Sequence, residues 1–261
     1  MREKPSLAEY GDWLETIWDG DVRELKPGRY LHQQAVLLRS FQASQFFERL
    51  LRSLHDWSDA YHQTTGYALF SGSHLPELQL HMKPWESFVT RTWRHNVLNN
   101  DSWPASPDGG WYLPDNWFEQ LWDIVRTRLV VRYLDGVVWL AERIEQLAKE
   151  GDIGFRRVTH AQEWGYYAMH VVVDQPFVVQ GLNYEVDFPR HTGVEIQLTT
   201  QLQEVITSLT HQFFEQRRET RPRPEERWQW DYSSREFTPY YLGHLLHYIE
   251  GMIMRMRTEN Q

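Results

Sequence analysis

The sequence predicts an α/β (α+β) chain: a mixed β-sheet of about five strands flanked by helices, with helical extensions at both ends. Three observations predict it. Apolar residues recur at helical spacing through the first 60 or so positions and again near the end. Alternating or β-branched segments are confined to the middle. Amphipathic stretches separate some of those segments, so the order is helices first, then β and α in alternation.

Each element follows in order. Residues 1–28 carry Pro5, Gly11, Gly20 and Pro27-Gly28, with short helical pieces such as Asp12–Trp18. From Tyr30 to Tyr61, Ala35, Leu38, Phe41, Phe46, Phe47, Leu50, Leu51 and Leu54 recur at helical spacing, as two helices or one long one. Gly66 to Gly72 breaks that pattern, and Leu78–Lys83 alternates like a strand. Pro84 ends the strand, and Trp85–Asn96 reads as a helix with Ser87, Arg91 and Arg94 near one side. Trp103–Asn116 is a loop rich in Pro, Gly and Asp. The β-branched run Asp123–Tyr133 gives a strand that starts at Asp123 and contains Arg128, with Asp135-Gly136 as its stop. Val137–Lys149 is an amphipathic helix ended by Gly151. Tyr167–Asp174 is a strand, and Pro176–Gln180 either continues it or begins the next. Asn183–Phe188 and Gly193–Thr199 are further strands, and an amphipathic helix runs from Gln201 to Glu219. Pro222 and Pro224 mark a break before a closing helix, Pro239–Met256. The chain thus divides into an N-terminal helical region (1–70), a central α/β domain (71–220) and an aromatic-rich helical extension (221–261).

Composition narrows the function. With 261 residues the chain can bury one large core. It has no cysteine, which excludes disulfides, thiolate zinc sites and thiol catalysis. No apolar run approaches a membrane span and no secretory leader is visible, so the expected location is the cytoplasm. A net charge of −9 opposes indiscriminate coating of nucleic acid. Arg217, Arg218, Arg221, Arg223 and Arg227 form a local cluster that suits a phosphate-binding edge or a solvated mixed-charge turn equally.

The segment Gly193-Val-Glu-Ile-Gln-Leu-Thr-Thr200 puts Glu195 and Gln197 on one strand face and Val194, Ile196 and Leu198 on the other. Strands disfavour carboxylates, and buried ones are costly unless paired or metal-bound. A nucleotide site explains Glu195; so does an ordinary strand with one solvated face. P-loop, dinucleotide-binding and HExxH motifs are absent. The pair His244/His247 has ligand-like spacing without a third partner and reads better as surface or capping histidines. What remains is spread over several elements. Lys83-x-x-x-Ser87-x-x-x-Arg91 lies on a strand-to-helix turn that aims cations and a hydroxyl at a common anion. Asp123 and Arg128 follow, then Gly165-Tyr166-Tyr-Ala-Met-His170, then Glu195 and Gln197.

Together these motifs resemble, in kind and order, the synthetase domain of the RelA/SpoT family, over roughly residues 75–220. The family's basic-x-Lys-Pro-x-x-Ser looks like His81-Met-Lys83-Pro-Trp-Glu-Ser87, with Arg91 at the trailing basic position. Its Asp-Ile-x-Gly-x-Arg looks like Asp123-Ile-Val-Arg-Thr-Arg128, and its Gly-Tyr-Arg-Ser-x-His like Gly165-Tyr-Tyr-Ala-Met-His170. Its Glu-Ile-Gln-Ile-Arg-Thr looks like Glu195-Ile-Gln-Leu-Thr-Thr200, followed by a helix bearing His211.

The resemblance implies a nucleotidyltransferase-like fold and transfer of pyrophosphate from ATP to a ribose hydroxyl with Mg²⁺. It implies that Asp123 binds the metal and that Glu195 assists it or deprotonates the attacking hydroxyl. Lys83, Ser87 and Arg91 would hold ATP phosphates, and Arg128 would contact ATP through its adenine face. Tyr166 would stack on the acceptor base, with His170 and Gln197 also on the acceptor side. The departures remove positive charge: His81, Tyr167 and Thr199 stand where the family keeps arginine, although Arg126 replaces a glycine. That pattern, with Gly-Tyr-Tyr-Ala-x-His and a single synthetase domain, is similar to the toxic branch of small alarmone synthetases. The acceptor implied is the 3′ end of tRNA, and the further partner an antitoxin protein. GDP/GTP or ADP/ATP acceptors, or a catalytically inactive nucleotide-binding module, are the alternatives.

Overall fold

The computed structural model describes residues 3–71, 75–180, 187–217 and 228–259, with side chains throughout except at 180, 187–188 and 211–217. Arg218, Arg221, Arg223, Arg227, both prolines of the expected break and residues 183–186 of the Asn183–Phe188 strand lie outside these ranges. So do the side chains of His211 and Arg217.

Three helices open the chain: α1 (Tyr10–Ile17), α2 (Pro27–Gln42) and α3 (Gln45–Thr65). The Tyr30–Tyr61 stretch is therefore two helices, and Ser44 divides them. Its extended backbone leaves the helix path, and its hydroxyl accepts from the Phe47 N–H at the start of α3. The αL Gly66 closes α3. Next come β1 (His81–Met82), α4 (Trp85–Trp93), a π-helical turn (Arg94–Leu98) and the short α5 (Trp117–Gln120). The central run is β2 (Val125–Val131), α6 (Leu134–Glu150), β3 (Phe155–Ala161), β4 (Tyr167–Gln180) and β5 (Asp187–Thr200). Helices α7 (Gln201–Arg217) and α8 (Phe237–Glu259) follow. No helix among the described residues is long and apolar enough to cross a membrane.

The strands form one sheet in the order β1-β2-β5-β4-β3, with β2 and β5 parallel and every other pair antiparallel. Register decides which residues share a face. Arg126 opposes Glu195, Arg128 opposes Gln197, and His170 opposes Gln197 from the other side. One face therefore carries Arg126, Arg128, His170, Glu195 and Gln197. The opposite face carries Val125, Leu129, Val131, Val171, Val173, Val194, Ile196 and Leu198, all buried against α2 and α6. Each such fully buried aliphatic side chain contributes roughly 1.5–3 kcal/mol.

Several boundaries differ from the sequence reading. The Leu78–Lys83 strand shrinks to His81–Met82, because Leu78 and Leu80 pack on the core from irregular backbone. Asp123 lies two residues before β2 rather than at its start. Asp135-Gly136 does not stop a strand but sits in the first turn of α6, where an acid suits the helix dipole. The helix expected to Asn96 is α-helical only to Trp93 and then widens into the π turn. Strand β3 was not expected at all. It is a sheet edge, and its exposed Arg156 and Arg157 hide the β pattern while protecting that edge. Strand β4 is continuous through Pro176, as β5 is through Pro189. Both prolines lie where the strand has a neighbour on one side only, beyond the reach of β3 and β2, so no ladder bond is lost there.

Candidate active site

The residues expected to hold phosphates stand at the turn from β1 into α4. Lys83 follows β1, Ser87 lies in the first turn of α4, and Arg91 one turn later. The backbone at Lys83 is fixed from α2: the Tyr30 hydroxyl donates to the Lys83 carbonyl at 2.9 Å. The Gln34 amide bridges the carbonyls of Lys83 and Ile124, each at 3.0 Å. This clamps Asp123, next to Ile124, beside Lys83, whose Nζ donates to Asp123 Oδ2 at 2.6 Å. Lys83 is 7% exposed and Asp123 25%. Burial pushes the Lys83 ammonium below its usual range more than Asp123 restores it. For Asp123, burial favours the neutral acid, but Lys83, Arg91 and Arg126 overcome it and hold the carboxyl below the ordinary range. The site thus keeps an ionised carboxylate with one side open. Arg91 also borders a cleft of about 230 Å³ lined by Arg94, His95, Asn99 and Tyr112. The His95 ring stacks on Tyr112 at 3.6 Å and bonds the Gly110 carbonyl.

On the sheet face, five side chains form one hydrogen-bonded chain. The Tyr166 hydroxyl meets His170 Nε2 at 3.2 Å, and His170 Nδ1 meets Glu195 Oε1 at 2.7 Å. Gln197 Nε2 donates to Glu195 Oε2 at 2.7 Å, while Gln197 Oε1 accepts from Arg128 Nε at 3.3 Å and Nη2 at 3.2 Å. A neutral His170 with its proton on Nδ1 satisfies both contacts, Tyr166 then donating to Nε2. Glu195 is buried, yet a carboxylate offers about four acceptor positions, so the two bonds leave room for another proton. Burial, and next the Glu195 charge, push the Tyr166 phenol up to about 12, so it stays protonated. The His160 ring lies 4.2 Å from that of His170, and burial lowers its pKa.

The structure joins every predicted residue of this face and adds two contacts that the sequence did not suggest. Gln197, expected on the acceptor side, ties Arg128 to Glu195. His170 is bound to Glu195 itself. Tyr167, at the family's arginine position, points to α8: its ring stacks on His247 at 3.7 Å and its hydroxyl meets His244 Nδ1 at 2.9 Å. The two histidines read as surface or capping groups therefore brace the Gly165–His170 segment, and His244 Nε2 also bonds the Glu163 carbonyl. Gly165 is required there twice over. Its φ is +80°, and a Cβ would lie 2.5 Å from the Tyr240 carbonyl oxygen. Sequence reasoning missed Tyr30, Gln34, His160 and Glu204. Only Glu204 left a signal, as an acid in the first turn of a helix that directly follows the Glu195 strand.

Among the described residues no group of three or more His, Cys, Asp or Glu is arranged to hold a metal. Mg²⁺ needs no such cage: it takes one or two carboxylates and completes its octahedron with water and nucleotide phosphate. An ionised, part-exposed Asp123 beside Lys83, Arg91 and Arg126 fits that chemistry.

No family model matches the chain, and no curated protein matches it in sequence. Solved structures do. Small alarmone synthetase 1 from Bacillus subtilis superposes with a TM-score of 0.55 at 16% identity, covering 88% of this chain and 98% of that one. A GTP pyrophosphokinase family protein from Streptococcus pneumoniae gives 0.52 at 19% identity, over 88% and 95%. The B. subtilis small alarmone synthetase 1 bound to its product pppGpp gives 0.51 at 15% identity, over 87% and 97%. The chain has the fold of these synthetases: a mixed five-stranded sheet flanked by helices.

Proposed function

We propose that this chain transfers pyrophosphate from ATP to a ribose hydroxyl, and that the hydroxyl is the one at the 3′ end of tRNA. The observation that carries the reaction is Glu195, a buried strand carboxylate held on both oxygens, by His170 and by Gln197, with an acceptor position to spare. Glu195 takes the proton of the ribose hydroxyl, and the freed oxygen attacks the β-phosphorus of ATP. The bond from that phosphorus to the oxygen shared with the α-phosphate breaks, and AMP leaves. Such transfers need positioning and charge neutralisation more than covalent help. Lys83, Ser87 and Arg91 gather the donor phosphates, and Arg128 meets the adenine. Asp123, assisted by Glu195, would hold Mg²⁺, which would supply charge neutralisation for the polyphosphate.

The acceptor reading rests on where the cations are missing. His81 is exposed and offers an imidazole rather than a guanidinium, Tyr167 is turned into α8, and Thr199 is buried. A terminal adenosine of tRNA presents a ribose hydroxyl and a base for Tyr166 without a 5′-polyphosphate to clamp. Blocking that end stops aminoacylation, so the chain would act as a translation-inhibiting toxin in the cytoplasm, neutralised by an antitoxin protein.

The test offers labelled ATP and Mg²⁺ with deacylated tRNA, GDP/GTP or ADP/ATP. Label on tRNA alone is expected. Label on guanine or adenine nucleotides alone overturns the acceptor reading, and no transfer to any acceptor points to a nucleotide-binding module without activity. Glu195→Gln is expected to lower transfer by about 10²–10⁴-fold with ATP affinity retained; an active variant removes Glu195 from the mechanism.

A further inference from the structure

Arg128 is held in an unusual way for a half-exposed cation. Glu204, in the first turn of α7, accepts from its Nη1 through both oxygens, at 2.8 and 2.7 Å. Gln197 Oε1 accepts from Nε and Nη2. All three guanidinium nitrogens are therefore bonded at the edge of the plane. Among the described residues no aromatic ring covers either face, although Arg132, Arg143, Arg156 and Arg257 each lie over one. The Arg128 side chain is nevertheless 38% exposed, and that of Glu204 36%. An ordinary surface ion pair of that exposure contributes little to stability. A part-exposed plate fixed at its edges, with no aromatic ring already stacked on it among the described residues, has a different use. It can stack on a planar base without first losing rotamer freedom, which a loose arginine must do.

We propose that Glu204 is a positioning residue for the nucleotide donor: it fixes the plane of Arg128 so that the guanidinium face receives the adenine ring. This rests on the reading of Arg128 as a donor-site residue. Glu204 touches Arg128 and not the phosphate side, so its loss weakens recognition of the base while leaving the hold on the phosphate chain. Arg128→Lys supplies charge without the plate, so it behaves like the loss of Glu204.

The experiment measures binding of α,β-methylene-ATP with Mg²⁺ by calorimetry, and of inorganic tripolyphosphate as a baseless probe, to the full chain. For Glu204→Ala the nucleotide is expected to bind about tenfold more weakly, with tripolyphosphate unchanged. Glu204→Gln, which still accepts hydrogen bonds, is expected to recover most of that loss. In turnover Glu204→Ala is expected to raise KM for ATP far more than it lowers kcat. Equal weakening of both probes would mean a merely structural role and overturns the proposal. Unchanged or tighter nucleotide binding also overturns it, tighter binding marking Glu204 as a latch that hides Arg128. Arg128→Ala separates the two levels of inference. If it leaves nucleotide binding intact, the donor-site reading of Arg128 fails; if it weakens binding while Glu204→Ala does not, only the positioning role fails.

Discussion

The two halves of the site are held from opposite ends of the chain, and by different means. On the half proposed to bind the donor, α2 reaches under the sheet edge and grips main-chain carbonyls: Tyr30 and Gln34 bond the backbone at Lys83 and Ile124. On the half proposed to bind the acceptor, α8 packs on particular side chains and on the space left by two glycines. Tyr167 is stacked and bonded by His247 and His244, and Gly165 packs directly on Gly243. A backbone grip does not depend on which side chain stands at Lys83, so the donor half can lose a charge and keep its shape. The acceptor half has no such tolerance, since its shape is made by particular rings and by two missing side chains. Substitutions on the donor side should act through charge, those on the acceptor side through fit.

The largest effect on stability is expected at Asp123. Asp123→Asn leaves the Lys83 ammonium 7% exposed with no anion, a change that costs about 3 kcal/mol in comparable buried pairs. Lys83→Met leaves Asp123 where it is 25% exposed and should cost less than half as much. Urea unfolding of both variants measures the order, and a more costly Lys83→Met would contradict the account of the donor half. Acid adds a sign. Lys83 and its neighbouring cations hold the folded-state pKa of Asp123 below the ordinary 3.8, so the folded form binds this proton less readily than the unfolded chain. That share of stability is present above the ordinary value and is lost as pH falls through it toward the folded value. Asp123→Asn should flatten this part of the acid-unfolding curve.

Next in size is Gly165→Ala. The φ of +80° and the approach to the Tyr240 carbonyl together predict a cost of about 2 kcal/mol. Its signature is the asymmetry: KM for the acceptor rises, while binding of a donor analogue does not change. A variant that impaired both halves equally would show that α8 supports the whole sheet rather than one side of it.

Much of this was legible in the sequence, and the remainder was hidden for definable reasons. Charges declare themselves, so Lys83, Arg91, Asp123, Arg128 and Glu195 could be placed from motif order alone, and parity alone put Glu195 beside Gln197. Supports do not declare themselves. Gln34 looks like any polar residue on an amphipathic helix, yet it is buried and bonds two distant carbonyls. Strand β3 was missed because an edge strand carries charge where a central strand carries valine. The spacing of His244 and His247 was noticed but not its purpose, since their partner Tyr167 is more than seventy residues away.

The smallest effect sharpens the comparison most. Tyr167→Phe removes one hydroxyl, and His244 keeps its bond to the Glu163 carbonyl. The ring stack on His247, at 3.7 Å and 6° between planes, is untouched. A single side-chain hydrogen bond contributes about 1 kcal/mol, so urea unfolding should show a loss of that order with acceptor kinetics unchanged. If the acceptor half works by fit, the ring is what matters and the hydroxyl is only a tie. A loss of acceptor affinity in Tyr167→Phe would mean that the phenol, at the position where the family keeps an arginine, itself takes part in recognition.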